Sequence, residues 1–69
     1  MRTTVLTRQR LTDTEALVIY RRGRAYHVAH VDAAQQCTPL PESMFWTYEA
    51  AQTRLQAELR AYHATVQGR

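Results

Sequence analysis

From Met44 to Gln67 the chain runs without a glycine or proline, and Gly68 follows. Good helix formers dominate this stretch, and Gly68 is a natural stop. Met44, Tyr48, Ala51, Leu55, Leu59, Tyr62 and Val66 recur at steps of three and four. At about 100° per residue these positions fall in one narrow stripe, the pattern of a helix with one face on a core. The spacing predicts a long amphipathic C-terminal helix over about 44–67. Ser43 or Thr47 is the expected N-cap, and Glu49 suits the positive helix end in either case.

A second stripe lies roughly opposite the first, formed by Trp46, Ala50, Ala57, Ala61 and Ala64. Two readings stay open for it. Alanine is the best helix former on an exposed face; equally, small side chains allow a second helix to approach closely, with Trp46 as the anchor. Two antiparallel copies of that stripe would form an isologous homodimer interface. Phe45-Trp46-Thr47-Tyr48 sets three aromatics within four residues, more than one helix face can bury. At least one of them is expected to meet a partner.

Upstream, Glu15–Arg21 and Arg24–Val31 are β-prone runs separated by Arg22-Gly23, which suits a tight hairpin. With a two-residue loop at Arg22-Gly23, Ile19 faces Tyr26, Leu17 faces Val28 and Glu15 faces His30. One face is then Leu17, Ile19, Tyr26 and Val28, the expected core side. The other carries Ala16, Val18, Tyr20, Ala25, His27 and Ala29, and is less polar than the outer face of a one-sided sheet should be. Thr3–Leu11 is a candidate third strand, joined through the turn-prone Thr12-Asp13-Thr14. Pro39 and Pro41 exclude a helix interior or a central strand, so 32–42 is predicted to be a connector. The fold class expected is α+β: a small antiparallel β-hairpin or three-stranded sheet (β-rich 3–31), then one helix, in a single domain spanning 1–69.

At 69 residues the core is thin. Chains this small bury only about 60% of their unfolded surface and commonly gain help from disulfides, a metal or a partner. Cys37 is the only cysteine, so no intrachain disulfide can form. A free thiol, a polar start at Met1-Arg2-Thr3-Thr4 and the lack of any long apolar run point to a cytoplasmic protein without membrane insertion. His27, His30, Cys37 and His63 are the potential metal ligands. On a strand, however, His27 and His30 point to opposite faces, and the spacing matches no common zinc pattern. No metal and no cofactor are expected. The only glycines are Gly23 and Gly68, so there is no phosphate loop. The chain also has little room for a catalytic pocket. It is read as not an enzyme.

The formal charge of +3 is unevenly placed. Residues 1–24 carry six arginines against Asp13 and Glu15, while 25–69 carry three against four acids. Every basic side chain is Arg, with no Lys, and Asn is missing too; their codons are A-rich, which fits a GC-rich bacterium or a virus that infects one. Tyr20, Arg21, Arg22, Arg24, Phe45 and Tyr62 are the candidate partner-binding residues, since Arg and large aromatics are common interface anchors.

Two resemblances give these features a direction. Phe45-x-Thr47-x-Glu49-Ala50 after a short sheet resembles the end of the arm-type DNA-binding domains of phage integrases. That resemblance implies an Arg-rich hairpin meeting phosphates or guanine edges, a nucleic-acid reading kept as second choice. In length, hairpin-plus-helix layout and Arg-only basic composition, the whole chain is similar to the phage-encoded quorum-sensing anti-activators of Pseudomonas phages. The likeness carries no signature motif in Arg21-Arg22-Gly23-Arg24 or Phe45-Trp46-Thr47-Tyr48. It implies a host-takeover protein: a homodimer in the host cytoplasm that binds a LuxR-type transcriptional activator and blocks its DNA binding. The type IV pilus assembly ATPase is implied as a second target.

Overall fold

The computed structural model describes residues 3–67, with side chains as far as Thr65. Four strands precede one helix: β1 Thr3–Arg10, β2 Ala16–Arg22, β3 Ala25–Val31, β4 Cys37–Phe45 and α1 Tyr48–Gln67. The strands form an antiparallel sheet in chain order. The helix lies across β2, β3 and β4 on one face only. The layout is α+β, and the sheet has four strands rather than two or three.

Alternation explains the core. Leu17, Ile19 and Val28 point from the two central strands toward Ala51, Leu55 and Leu59 of α1, with Ile19, Val28 and Leu55 fully buried. Removing such a side chain from water contributes roughly 1.5–3 kcal/mol, so this small set carries most of the fold. Leu11, Tyr26, Leu40 and Phe45 close its margins. Of the expected helix stripe, Ala51, Leu55 and Leu59 are buried and Tyr62 is half-buried; Val66 lies beyond the described side chains.

The β2–β3 hairpin corrects the predicted register by two residues. Arg22 pairs with Ala25, so the loop is Gly23-Arg24 rather than Arg22-Gly23. Gly23 takes φ 65° at the first loop position, the left-handed backbone that a type II′ turn places on glycine. Ile19 therefore faces Val28, and Leu17 faces His30. A slip of two keeps each side chain on its own face, and the expected core face survives intact.

The predicted connector 32–42 is mostly strand. Only its first part loops, where the Asp32 carboxylate accepts from the Ala34 and Gln36 amides at 2.9 and 3.0 Å and Gln35 sits at φ 65°. From Cys37 the chain enters β4, with Pro39 opposite Ala29. Proline is tolerated there because β4 is an edge strand, one of whose flanks has no ladder to feed. Between Pro39 and Met44 the pairing breaks, and Leu40–Ser43 bulge opposite Val28 with Glu42 at φ 51°. Arg54 of α1 reaches this bulge and donates to the carbonyls of Pro41 and Glu42 at 2.9 and 3.1 Å.

The helix also starts later than predicted. Met44 and Phe45 continue β4 by pairing with His27 and Tyr26, and α1 begins at Tyr48. Thr47 is the N-cap, its hydroxyl accepting from the Ala50 amide at 3.2 Å, whereas Ser43 is buried in the bulge. Met44 therefore leaves the core stripe, and Trp46 leaves the alanine stripe.

Candidate binding surfaces

The β2–β3 turn and the N-terminus of α1 share one end of the molecule. The pairing of Tyr26 with Phe45 brings them together, since α1 follows Phe45 almost at once. Tyr48 then locks the corner: its hydroxyl hydrogen-bonds the Thr7 hydroxyl of β1, and its ring meets Tyr26 edge-on at 6.2 Å. The exposed large hydrophobics among the described residues, Val5, Leu6, Met44, Trp46 and Tyr48, all lie on the strand segments and the junction at this end. Trp46 is 70% exposed. Arg21, Arg22 and Arg24 project beside them from the hairpin, exposed, with no carboxylate in ion-pair range among the described residues.

Of the candidate partner-binding residues, Tyr20, Arg21, Arg22, Arg24 and Phe45 are thus brought to this end, with Phe45 half-buried against the core. Tyr62 is not. It sits toward the far end of the helix, on the wall of a pocket of about 310 Å³ with Leu11, Leu17, His30 and Leu40. A hydrogen bond and an ion pair border that pocket: His30 Nε2 with Glu15 Oε1 at 2.9 Å, and Arg54 Nε to Glu58 Oε1 at 3.0 Å. The first realises the expected Glu15–His30 contact despite the changed register.

Ala57, Ala61 and Ala64 are exposed on the helix, while Ala50 is half-buried. Since Trp46 lies outside the helix, the proposed self-association stripe has no aromatic anchor on the helix itself.

Among the described residues, no second layer covers the face of the sheet opposite α1. Its side chains form cross-strand rows: Thr3, Arg22 and Ala25; then Val5, Tyr20, His27 and Met44; then Arg8, Val18, Ala29 and Pro39. Tyr20 and His27 stack at 5.0 Å between ring centres, 16° from parallel. Beyond them, Val18, Ala29 and Val31 make a second small core, each at most 6% exposed. A groove of about 420 Å³ runs over this face, lined by Val5, Arg8, Val18, Tyr20, Arg22 and Cys37 among others. Burial pushes the Tyr20 phenol above its ordinary value of 10.0; nearby Cys37 adds to the rise and Arg22 opposes it.

Sequence reasoning missed Val5, Arg8 and Met44. The signal available was the odd outer face of the hairpin, too apolar for a solvated surface and too small for a second core.

Among the described residues no cluster of three or more His, Cys, Asp or Glu is placed to hold a metal ion, and no helix is long and apolar enough to cross a membrane. Comparison with protein-family models, curated proteins and solved structures finds no match.

Proposed function

We propose that this chain is a non-catalytic binding protein that inhibits a protein partner by covering it, docking through the hairpin-tip end. The observation that carries this reading is the collection of its exposed large hydrophobics and three exposed arginines at one end of so small a molecule. Trp, Tyr and Arg dominate binding energy where they are desolvated together. Trp46 would fill a partner's pocket, with Met44 and Tyr48 sealing its edge and Arg21, Arg22 and Arg24 pairing with acidic groups. The resemblance to phage anti-activators names the first partner to test, a LuxR-type transcriptional activator whose DNA binding would be blocked. The pilus assembly ATPase stands second. Self-association through Ala57, Ala61 and Ala64 belongs to the same reading and would present two such ends from one dimer.

The test is displacement of a purified LuxR-type activator from labelled operator DNA. Increasing amounts of the protein should release the activator, and Trp46→Ala should weaken that release by about tenfold or more, as expected of a hot-spot residue. Retention of the complex at every concentration would sink the choice of partner. A parallel pull-down with and without nuclease addresses the second reading, which rests on the exposure of Arg21, Arg22 and Arg24 at the hairpin turn. Partners lost only on nuclease treatment would replace the protein-binding reading with DNA binding by the hairpin.

A further inference from the structure

We infer that the uncovered sheet face is a binding site for a segment of single-stranded nucleic acid, with bases stacked on the Tyr20–His27 row and phosphates held by Arg8 and Arg22. This goes beyond the protein-docking end: it shares Arg22, Val5 and Met44 with that end but centres on Tyr20 and extends along the sheet face opposite α1 to Arg8. The argument begins with what that face has left to offer. Ala16, Val18, Ala29 and Val31 are already covered by their own neighbours, at 1, 3, 0 and 6% exposure. Apolar packing on that part of the face would therefore gain little, and only Val5 and Met44, at the hairpin end, are left to an apolar partner. What stays accessible is a pair of half-buried rings, the flanking Val5 and Met44, and the guanidinium groups.

The charges select the ligand. Arg8 and Arg22 both line the groove, and no carboxylate does. Neither has an ion-pair partner among the described residues, unlike Arg10, which is held by Asp13 at 2.5 Å. They sit on either side of the aromatic row: Arg22 shares a row with Thr3, and Arg8 shares one with Val18. Val18 and Arg22 are four residues apart on β2, roughly 13 Å at the rise of a strand. An anionic chain crossing the rings would meet a cation on each side. Tyr20 lines the groove together with both arginines, and His27 stacks on it from the β3 side; an aromatic side chain in a cationic groove is the arrangement of sequence-tolerant single-strand sites. A duplex keeps its bases stacked on one another and offers none to this row.

Fluorescence anisotropy with a labelled dT12 oligonucleotide and the full chain tests the assignment. Binding is expected at low salt, weakening as salt rises with a log–log slope of about −0.7 for each phosphate contact. Arg8→Gln and Arg22→Gln should each flatten that slope by about one such step. Tyr20→Ala should lower affinity at least about fivefold, the smaller end of what one base–aromatic stack is worth, while Tyr20→Phe keeps the ring and the affinity. Arg60→Gln removes the same charge from the exposed helix surface and should change nothing. Because Tyr20→Ala also removes packing, its circular dichroism is compared with that of Tyr20→Phe; if it unfolds, the two arginine variants decide. Four outcomes overturn the assignment: no binding of dT12 at low salt; equal affinity in a folded Tyr20→Ala; equal or tighter binding of polyglutamate, which marks an acidic protein surface; or preference for duplex of the same sequence.

Discussion

Arg54 does the work of a small connector. One guanidinium joins the carbonyls of Pro41 and Glu42 to the helix and pairs with Glu58, so it supplements the packing of Leu40 in holding the irregular part of β4. Replacing it with Met keeps the stem and removes every donor. A loss of about 1–2 kcal/mol is expected in urea unfolding, in line with hydrogen bonds to a charged group that is partly solvated. Glu42 is the reverse case. At φ 51° it holds a left-handed backbone that costs a side-chain-bearing residue roughly 1 kcal/mol. Glu42→Gly should therefore raise the urea midpoint, or at least not lower it. Thr47→Ala removes the hydroxyl that accepts from the Ala50 amide and should destabilise by about 1 kcal/mol. Tyr20 gives the pH dependence. Its folded pKa is raised, so the fold favours the neutral phenol. The associated stability is present below pH 10.0 and is lost as pH climbs through the higher folded value. Unfolding measured on either side of pH 10.0 should show that loss in the native chain and not in Tyr20→Phe.

The helix and the two central strands depend on each other through few residues. Leu55→Ala should cost about 2–5 kcal/mol, a large share of the 5 or so that a small domain typically has in reserve. Loss of the cooperative thermal transition is the expected readout. These elements were also the legible ones. Ala51, Leu55 and Leu59 repeat at helical spacing, and Leu17, Ile19 and Val28 alternate, because a one-sided core imposes both periods on the residues that build it. What escaped reading depends on partners distant in sequence. Pro39 argues against a central strand, yet nothing local reveals that β4 is an edge. Met44 fits the helical stripe equally well, and only its pairing with His27, beside that of Phe45 with Tyr26, draws it into the sheet. The hairpin register differs by two from the one the sequence suggests because glycine suits either loop place, and the turn uses the positive φ of Gly23 at the first. The binding surfaces were half legible. Arg21, Arg22 and Arg24 are adjacent in sequence, but their nearness to Trp46 and Met44 is a product of topology.

At the scale of the whole molecule, the two ends differ in kind. One end gathers exposed apolar and cationic side chains, and the other closes over a pocket bordered by the His30–Glu15 and Arg54–Glu58 contacts. Ala57→Glu probes the remaining helix surface. If the native chain sediments as a dimer through the alanine stripe, a carboxylate there should return it to monomer; a native chain that sediments as a monomer removes self-association from the proposed function. The sheet's own two edges are just as unequal. Along β4, two prolines without N–H groups and a bulge spoil the register that an incoming strand would need. Along β1, the chain offers a free flank broken only at Leu6, between Val5 and Thr7. In the language of polymer chemistry the described sheet is a monofunctional unit: any strand addition between two copies would run through β1 and consume the one competent edge among the described residues. Growth by this route stops at the pair, however concentrated the protein becomes.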